Sequence, residues 1–211
     1  MAPPAQMEQP VVEQLLKEAR RGAVEPLGQL LQSYRNYLKI LATSQFDHRL
    51  RRRMSPSDLV QETMLAAHRG ITKFKGSTER QFLAWLRQIL INCLYHAIET
   101  HLKAKRRDIR CEISIEQASV NFDRSAGNLA PLLADRAASP STTAGQRESV
   151  VAFADQLAKL RPEYREVIVL RNLQGLPFSE VAQRMNRGVG AARMLWLRAI
   201  EKFKQVYESG D

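Results

Sequence analysis

The sequence predicts an all-helical protein of two small domains. Apolar residues recur at three- and four-residue spacing through most of the chain, strand patterns are nearly absent, and one long stretch interrupts the helical periodicity. Hydrophobic residues make up 44% of the 211, enough to furnish packed cores over a length that ordinary domain sizes divide into one or two bodies. The interruption decides for two. From about Ser114 to Gln146 the chain includes NFDRSAGNLAPLLADRAASPSTTAG, rich in Ala, Ser, Pro, Gly and Asn, and reads as a linker. It separates a larger helical domain at residues 10–113 from a smaller one at 147–208.

In chain order, Ser55-Pro56-Ser57-Asp58 is a helix start, with Ser55 or Ser57 placed to cap free amides. The clearest helix runs from Gln81 to Leu102. Its apolar stripe is Phe82, Trp85, Leu86, Ile89, Leu90, Cys93, Leu94, Ala97 and Ile98. Trp85 lies within that stripe and belongs to the core. Asn92 lies about 100° of helical rotation from the stripe's centre, so its amide can face solvent or a ligand, donating and accepting.

In the second domain Leu160-Arg161-Pro162-Glu163 starts a helix, since proline is tolerated in a first turn and Glu163 suits the positive end of the helix dipole. EYREVIVLRNL continues it, and Gln174-Gly175-Leu176-Pro177 stops it. Phe178 to Met185 forms the next helix, Asn186 to Val189 a turn, and Gly190 to about Tyr207 a long final helix. Two such helices cross tightly only with a small residue inside the first and a residue that tolerates left-handed geometry in the turn. Ala182 and Asn186 meet those needs, so the segment is a helix-turn-helix candidate. On the last helix Ala192, Leu195, Trp196, Ala199, Phe203 and Val206 share one face, leaving Gly190, Arg193, Met194, Leu197 and Arg198 on others.

Charge points the same way. Lys and Arg number 32 against 22 Asp and Glu, an excess of +10 that suits a phosphate-binding protein. The excess is clustered: RLRRR at Arg49 to Arg53, KAKRRDIR at Lys103 to Arg110, and six basic residues against Glu201 between Arg184 and Lys204. Each cluster alone also fits a solvated face. A helix-turn-helix places its second helix in the major groove, where arginine grips guanine edges or phosphates, and Arg184 and Arg187 suit contacts to the DNA backbone.

Only Cys93 and Cys111 are present, too few for a disulfide framework, and reduced thiols fit the cytoplasm. No metal site is expected: Cys93 and His96 share a helical face, but no further spacing completes a ligand set. The start MAPPAQMEQP has no secretory pattern, and no segment approaches the ~18 unbroken apolar residues of a membrane span, so membrane insertion is not expected. No phosphate-binding loop, nucleophile elbow or paired-carboxylate site appears, so no catalytic residue and no cofactor are expected.

Asp58-Leu59-Val60-Gln61-Glu62-Thr63, followed by Phe74 and then Phe82-Leu83-Ala84-Trp85-Leu86, resembles domain 2 of bacterial RNA polymerase sigma factors. Leu160-Arg161-Pro162, Val167, Leu170-Arg171, Gly175-Leu176, Glu180-Val181-Ala182 and Gly190-Ala191-Ala192-Arg193 resemble sigma domain 4, in the same order. The short linker leaves no room for a domain between them, the layout of the extracytoplasmic-function subfamily. The resemblance implies a non-enzymatic factor for promoter recognition and transcription initiation. Its partners would be core RNA polymerase, promoter DNA in double-stranded and melted form, and, as a further candidate, an anti-sigma factor. It implies core-polymerase binding by Asp58, Gln61 and Glu62. It assigns the minus-ten element to Asn92, Lys103, Lys105, Arg106 and Arg107, where cationic residues would track single-stranded phosphate. It assigns the minus-thirty-five element to Arg184, Arg187, Gly190, Arg193, Met194, Leu197 and Arg198. Relatives often carry a Ser-Arg pair where this chain has Met194 and Leu195. Two other readings stay open from the residues: a helix-turn-helix regulator that does not replace the housekeeping sigma subunit, and a nucleic-acid-processing enzyme, for which the chain offers no metal or nucleophile set.

Overall fold

The computed structural model describes residues 9–45, 50, 53–102 and 145–208. They form α1 (Gln9–Arg20), α2 (Val24–Ser33), α3 (Arg35–Gln45), α4 (Pro56–Gly70), α5 (Glu79–Leu102), α6 (Gly145–Lys159), α7 (Pro162–Ile168), α8 (Phe178–Arg184) and α9 (Val189–Glu208), with no strand among the described residues. The helices fall into two compact units, one built from α1, α2, most of α3, α4 and α5, the other from α6 to α9. The expected linker at 114–146 lies almost wholly outside the described residues, as do Lys103, Lys105, Arg106, Arg107 and Cys111.

The first unit is an apolar helical packing organised by aromatic residues. Val12, Leu16 and Ala19 line one side of α1; Leu27, Leu30 and Leu31 are buried from α2, and Leu38 and Leu41 from α3. Phe82 is fully buried, and Tyr34 and Phe74 meet it edge-on at 5.7 and 5.8 Å between ring centroids. Trp85 lies 4.9 Å from Phe74 and 5.7 Å from Phe82; it packs on the core as its place in the apolar stripe predicts, but is half-buried at the core's margin. Such ring pairs add about 0.5–1.5 kcal/mol each beyond the area they bury. The Tyr34 hydroxyl donates to Glu79 Oε1 at 2.7 Å. Burial, then the adjacent Glu79 carboxylate, pushes that phenol far above its ordinary range, so it remains a donor at every physiological pH.

Helix α5 starts slightly earlier than the stripe alone suggests, because Thr78-Glu79-Arg80-Gln81 forms a reciprocal cap. The Gln81 amide nitrogen donates to Thr78 Oγ1 at 3.4 Å, and Gln81 Oε1 accepts from the backbone of Ser77 at 2.9 Å and Thr78 at 3.3 Å. The buried face of α5 is also wider than the predicted stripe. Leu83 and Ile91 are buried, whereas Ile89 and Cys93 are only half-buried.

The second unit packs α9 against α7, α6 and α8. Phe153 and Phe203 join α6 to α9 at 4.7 Å between centroids. Arg165 closes the C-terminal end of α6: its guanidinium donates to the carbonyls of Leu157 (3.3 Å), Ala158 (2.7 Å) and Leu160 (3.0 Å), answering orphan acceptors that would otherwise face a partly buried space. The segment expected as one regular helix after Pro162 departs from that expectation, since Val169–Leu173 is a wider π turn in which the Gln174 amide reaches back to Val169 O at 2.9 Å. Val167, Ile168, Val169, Leu170 and Leu173 are all buried, and the added residue lets that apolar run wrap into the core on more than one side. Gly175, with φ +69°, then turns the chain in the left-handed region, and Arg171 Nη1 fixes the turn by donating to Leu176 O at 2.8 Å.

Candidate nucleic-acid interface

Helices α8 and α9 make the expected helix-turn-helix. Ala182 is buried at the crossing, and Asn186 is the one non-glycine residue with positive φ among the described residues, at +51°. The Arg187 amide donates back to Ala182 O at 2.9 Å, closing the end of α8 around that left-handed residue. Helix α9 then begins at Val189, one residue before the expected Gly190, and the Ala192 amide reaches Gly188 O at 2.9 Å.

The two faces of α9 divide as the periodicity predicts. Ala192, Leu195, Ala199 and Phe203 are buried, Trp196 and Val206 half-buried, while Gly190, Arg193, Met194, Leu197 and Arg198 are exposed. Of the Met194-Leu195 pair only Met194 is presented outward. The inward face is pinned by polar and aromatic contacts: Trp196 Nε1 donates to Asn172 Oδ1 at 2.9 Å, and the Trp196 ring meets Phe178 edge-on at 5.7 Å. Phe178 carries cations as well, with the guanidinium carbon of Arg171 4.8 Å and that of Arg193 5.4 Å from its centroid. Arg193, though exposed, thus has its guanidinium beside an aromatic ring at the margin of the α9 face. Arg184 donates to Gln174 Oε1 at 2.8 Å, and Arg187 pairs with Glu163 at 3.2 Å, an exposed contact that water and salt weaken. Val189, assigned to the turn by sequence, is an exposed helical residue beside this surface.

In the first unit, α4 opens with a complete capping box. Ser55 Oγ accepts from the Asp58 amide at 3.2 Å, and Asp58 Oδ2 accepts from the Ser55 amide at 2.9 Å. That backbone bond, then the Ser55 hydroxyl, holds the Asp58 carboxyl below the ordinary carboxylate range. Asp58 therefore has a structural duty in addition to any binding role. Gln61 and Glu62 are exposed, and Leu59, Val60, Thr63 and Ala67 turn inward. Leu65, three and four residues after Glu62 and Gln61, is 51% exposed on the same outward side. Sequence reasoning passed over it, although its position off the buried Leu59-Thr63-Ala67 row was the available signal.

Asn92 is exposed on α5, and its Oδ1 accepts from Gln88 Nε2 at 3.0 Å, a bond from the preceding turn that orients its amide. Cys93 is half-buried; burial pushes its thiol up, against the Thr63 hydroxyl hydrogen bond that acts the other way. Among the described residues no three His, Cys, Asp or Glu side chains gather to hold a metal ion, and no helix is long and apolar enough to cross a membrane.

Comparison with known proteins yields two family matches. The description "Sigma-70 region 2" matches residues 30–106 and "Sigma-70, region 4" matches 151–203, together more than half of the chain. The ECF RNA polymerase sigma factor SigG of Mycobacterium tuberculosis is 32% identical over 159 residues, covering 72% of this chain and 42% of SigG. BldN of Streptomyces coelicolor, also an ECF RNA polymerase sigma factor, is 28% identical over 89% of this chain and 62% of its own. The ECF RNA polymerase sigma-E factor of Haemophilus influenzae is 26% identical, covering 89% of this chain and 90% of its own. The chain thus spans about two fifths of SigG and nearly all of the Haemophilus protein. A chain of the solved RsbN–BldN complex aligns with 90% of this one at 24% identity and a TM-score of 0.31.

Proposed function

The chain belongs to the sigma-70 family of RNA polymerase sigma factors, in its extracytoplasmic-function group, and from that premise we propose that it directs core polymerase to promoters and initiates transcription there. In this reading the outward side of α4, with Gln61, Glu62 and in part Asp58, docks on core polymerase. Asn92 and the basic segment containing Lys103, Lys105, Arg106 and Arg107 engage the minus-ten element as it melts. Helix α9 lies in the major groove of the minus-thirty-five element, with Arg184 and Arg187 toward phosphate. The protein acts in the cytoplasm without catalysing a reaction of its own, and an anti-sigma factor is a candidate regulator.

The observation that carries this reading is α9: a helix-turn-helix whose second helix buries one apolar face and leaves Gly190, Arg193, Met194, Leu197 and Arg198 outward. A helix with that division fits a major groove, and arginines at its margins match the groove's phosphate walls. The test is run-off transcription with sigma-free core polymerase. The parent chain is expected to restore initiation at a cognate promoter. Asp58→Ala, Gln61→Ala and Glu62→Ala combined are expected to lower transcript yield at limiting factor by at least about tenfold, the consequence of losing roughly 1.4 kcal/mol of docking energy. Transcription insensitive to the triple change overturns the docking face. A chain that binds duplex DNA but never joins core polymerase is instead the helix-turn-helix regulator.

A further inference from the structure

Six large apolar side chains are prominently exposed among the described residues, and three of them, Val189 (48%), Met194 (51%) and Leu197 (48%), fall within the first nine positions of α9. At about 100° per residue, Met194 and Leu197 stand about 60° apart on the outward face, with Arg198 about 40° beyond one and Arg193 about 40° beyond the other. An apolar centre is thus bordered by guanidinium groups on both sides. Gly190, one turn before Met194 on the same face, adds an independent observation. Its backbone is not in the left-handed region, and a Cβ built there would meet nothing within 4 Å. Neither the fold's geometry nor its packing asks for glycine at that point; the bare backbone leaves room for something outside the chain to come close.

We infer that Met194 and Leu197 read a thymine 5-methyl group in the major groove, making an A·T pair at one position of the upstream duplex element a specificity determinant. The inference rests on the reading of α9 as a groove-binding helix. It follows from what each base edge offers. Every base presents donors or acceptors in the major groove, which a thioether and an isobutyl group leave unanswered; thymine alone adds a methyl beside its O4 acceptor. Desolvating a polar edge against Met194 and Leu197 is unfavourable; covering a methyl is favourable. The flanking charge selects the nucleic acid over an apolar protein partner: from Arg193 to Lys204 the helix carries Arg193, Arg198, Lys202 and Lys204 against Glu201 alone. Phosphates on the two groove walls match that border.

The test replaces thymine by deoxyuridine, which deletes the methyl and nothing else. Polymerase carrying the full chain selects duplexes from a randomised upstream element, and each thymine of the selected sequence is exchanged in turn on a competition probe. One exchange is expected to weaken binding by about fourfold, the worth of burying one methyl-sized group. With Met194→Ala and Leu197→Ala combined, the same exchange is expected to have no effect, while the salt dependence set by the arginines is retained. Both side chains are exposed, so the variant is expected to keep the parent's circular dichroism and melting. Tolerance of deoxyuridine at every thymine, an element without thymine, or an undiminished deoxyuridine effect in the double variant overturns the inference and leaves groove binding intact. A double variant that binds DNA normally but loses core polymerase assigns the apolar centre to a protein and overturns it too. No selection of any duplex sequence overturns the groove-binding reading itself.

Discussion

Helices α4 and α9 both turn a row of candidate residues outward, yet those residues stand in different relations to the fold. On α4 the first of them, Asp58, is half of the capping box that starts the helix, so binding and folding share one carboxylate. On α9 the outward row lies opposite the buried face, with Met194 51% and Leu197 48% exposed and nothing within 4 Å of a Cβ built at Gly190. Arg193 is intermediate, steered by Phe178 at 5.4 Å. Substitution on α9 therefore separates recognition from stability, whereas substitution at Asp58 confounds them.

The largest expected effect sharpens the α9 side. Arg193→Ala with Arg198→Ala is expected to reduce the slope of log affinity against log salt for duplex promoter DNA by about two units, one for each phosphate that is no longer neutralised. Affinity near physiological salt falls by about tenfold or more, while thermal stability drops by no more than the roughly 0.5–1 kcal/mol of an exposed cation–π pair at Arg193. A salt titration at several concentrations reads the slope directly. If stability falls as steeply as affinity, α9 shares recognition with folding just as α4 does.

A smaller effect addresses α4. Ser55→Ala removes the side-chain half of the cap and is expected to cost about 1 kcal/mol in denaturant unfolding. Asp58→Asn carries a pH signature. Because the folded carboxyl sits below its unfolded value, its contribution is present above the ordinary carboxylate range and is lost as pH falls through the lowered folded pKa. The difference between parent and Asp58→Asn is thus greatest at neutral pH and closes on acidification. A pH-independent difference breaks the claim that this carboxylate supports the fold. It also bears on the transcription test: Gln61→Ala with Glu62→Ala, leaving Asp58 in place, isolates docking from capping.

The contrast also explains which parts were legible in the sequence. The helix-turn-helix was readable because its constraints are local: Pro162 and Glu163 open α7, Asn186 supplies the left-handed turn, Ala182 the close crossing, and a 3.6-residue period separates Ala192, Leu195 and Ala199 from Arg193 and Arg198. Burial of Leu83 and Ile91 was not readable in the same way. It depends on neighbours that cover a second side of α5, a tertiary fact with no mark in the helix's own period. The π turn at Val169–Leu173 was hidden for a related reason, since a continuous apolar run fits either a regular or a widened helix until its surroundings are known. The capping boxes at Ser55-Asp58 and Thr78-Gln81 left signals of the right spacing, though only the first was read as a helix start. For the candidate site, the row on α9 followed from periodicity and Leu65 on α4 could have been found the same way, whereas the isolation of Gly190 required coordinates.

Gly190 gives the smallest effect and the most discriminating one. Alanine is the better helix former by about 0.5–1 kcal/mol in an interior position, and the new methyl would meet no atom within 4 Å. Gly190→Ala is therefore expected to leave the second unit as stable as before or to raise its melting temperature slightly. If DNA comes close to the bare backbone of α9's first turn, the same methyl obstructs it, and duplex affinity falls by severalfold while stability rises. Stability and affinity then move in opposite directions, which no loss of fold can produce. Calorimetry and a duplex competition assay on one preparation measure both signs. An affinity that is unchanged or increased shows that nothing approaches Gly190 closely, and it returns the first turn of α9 to an ordinary solvated helix start.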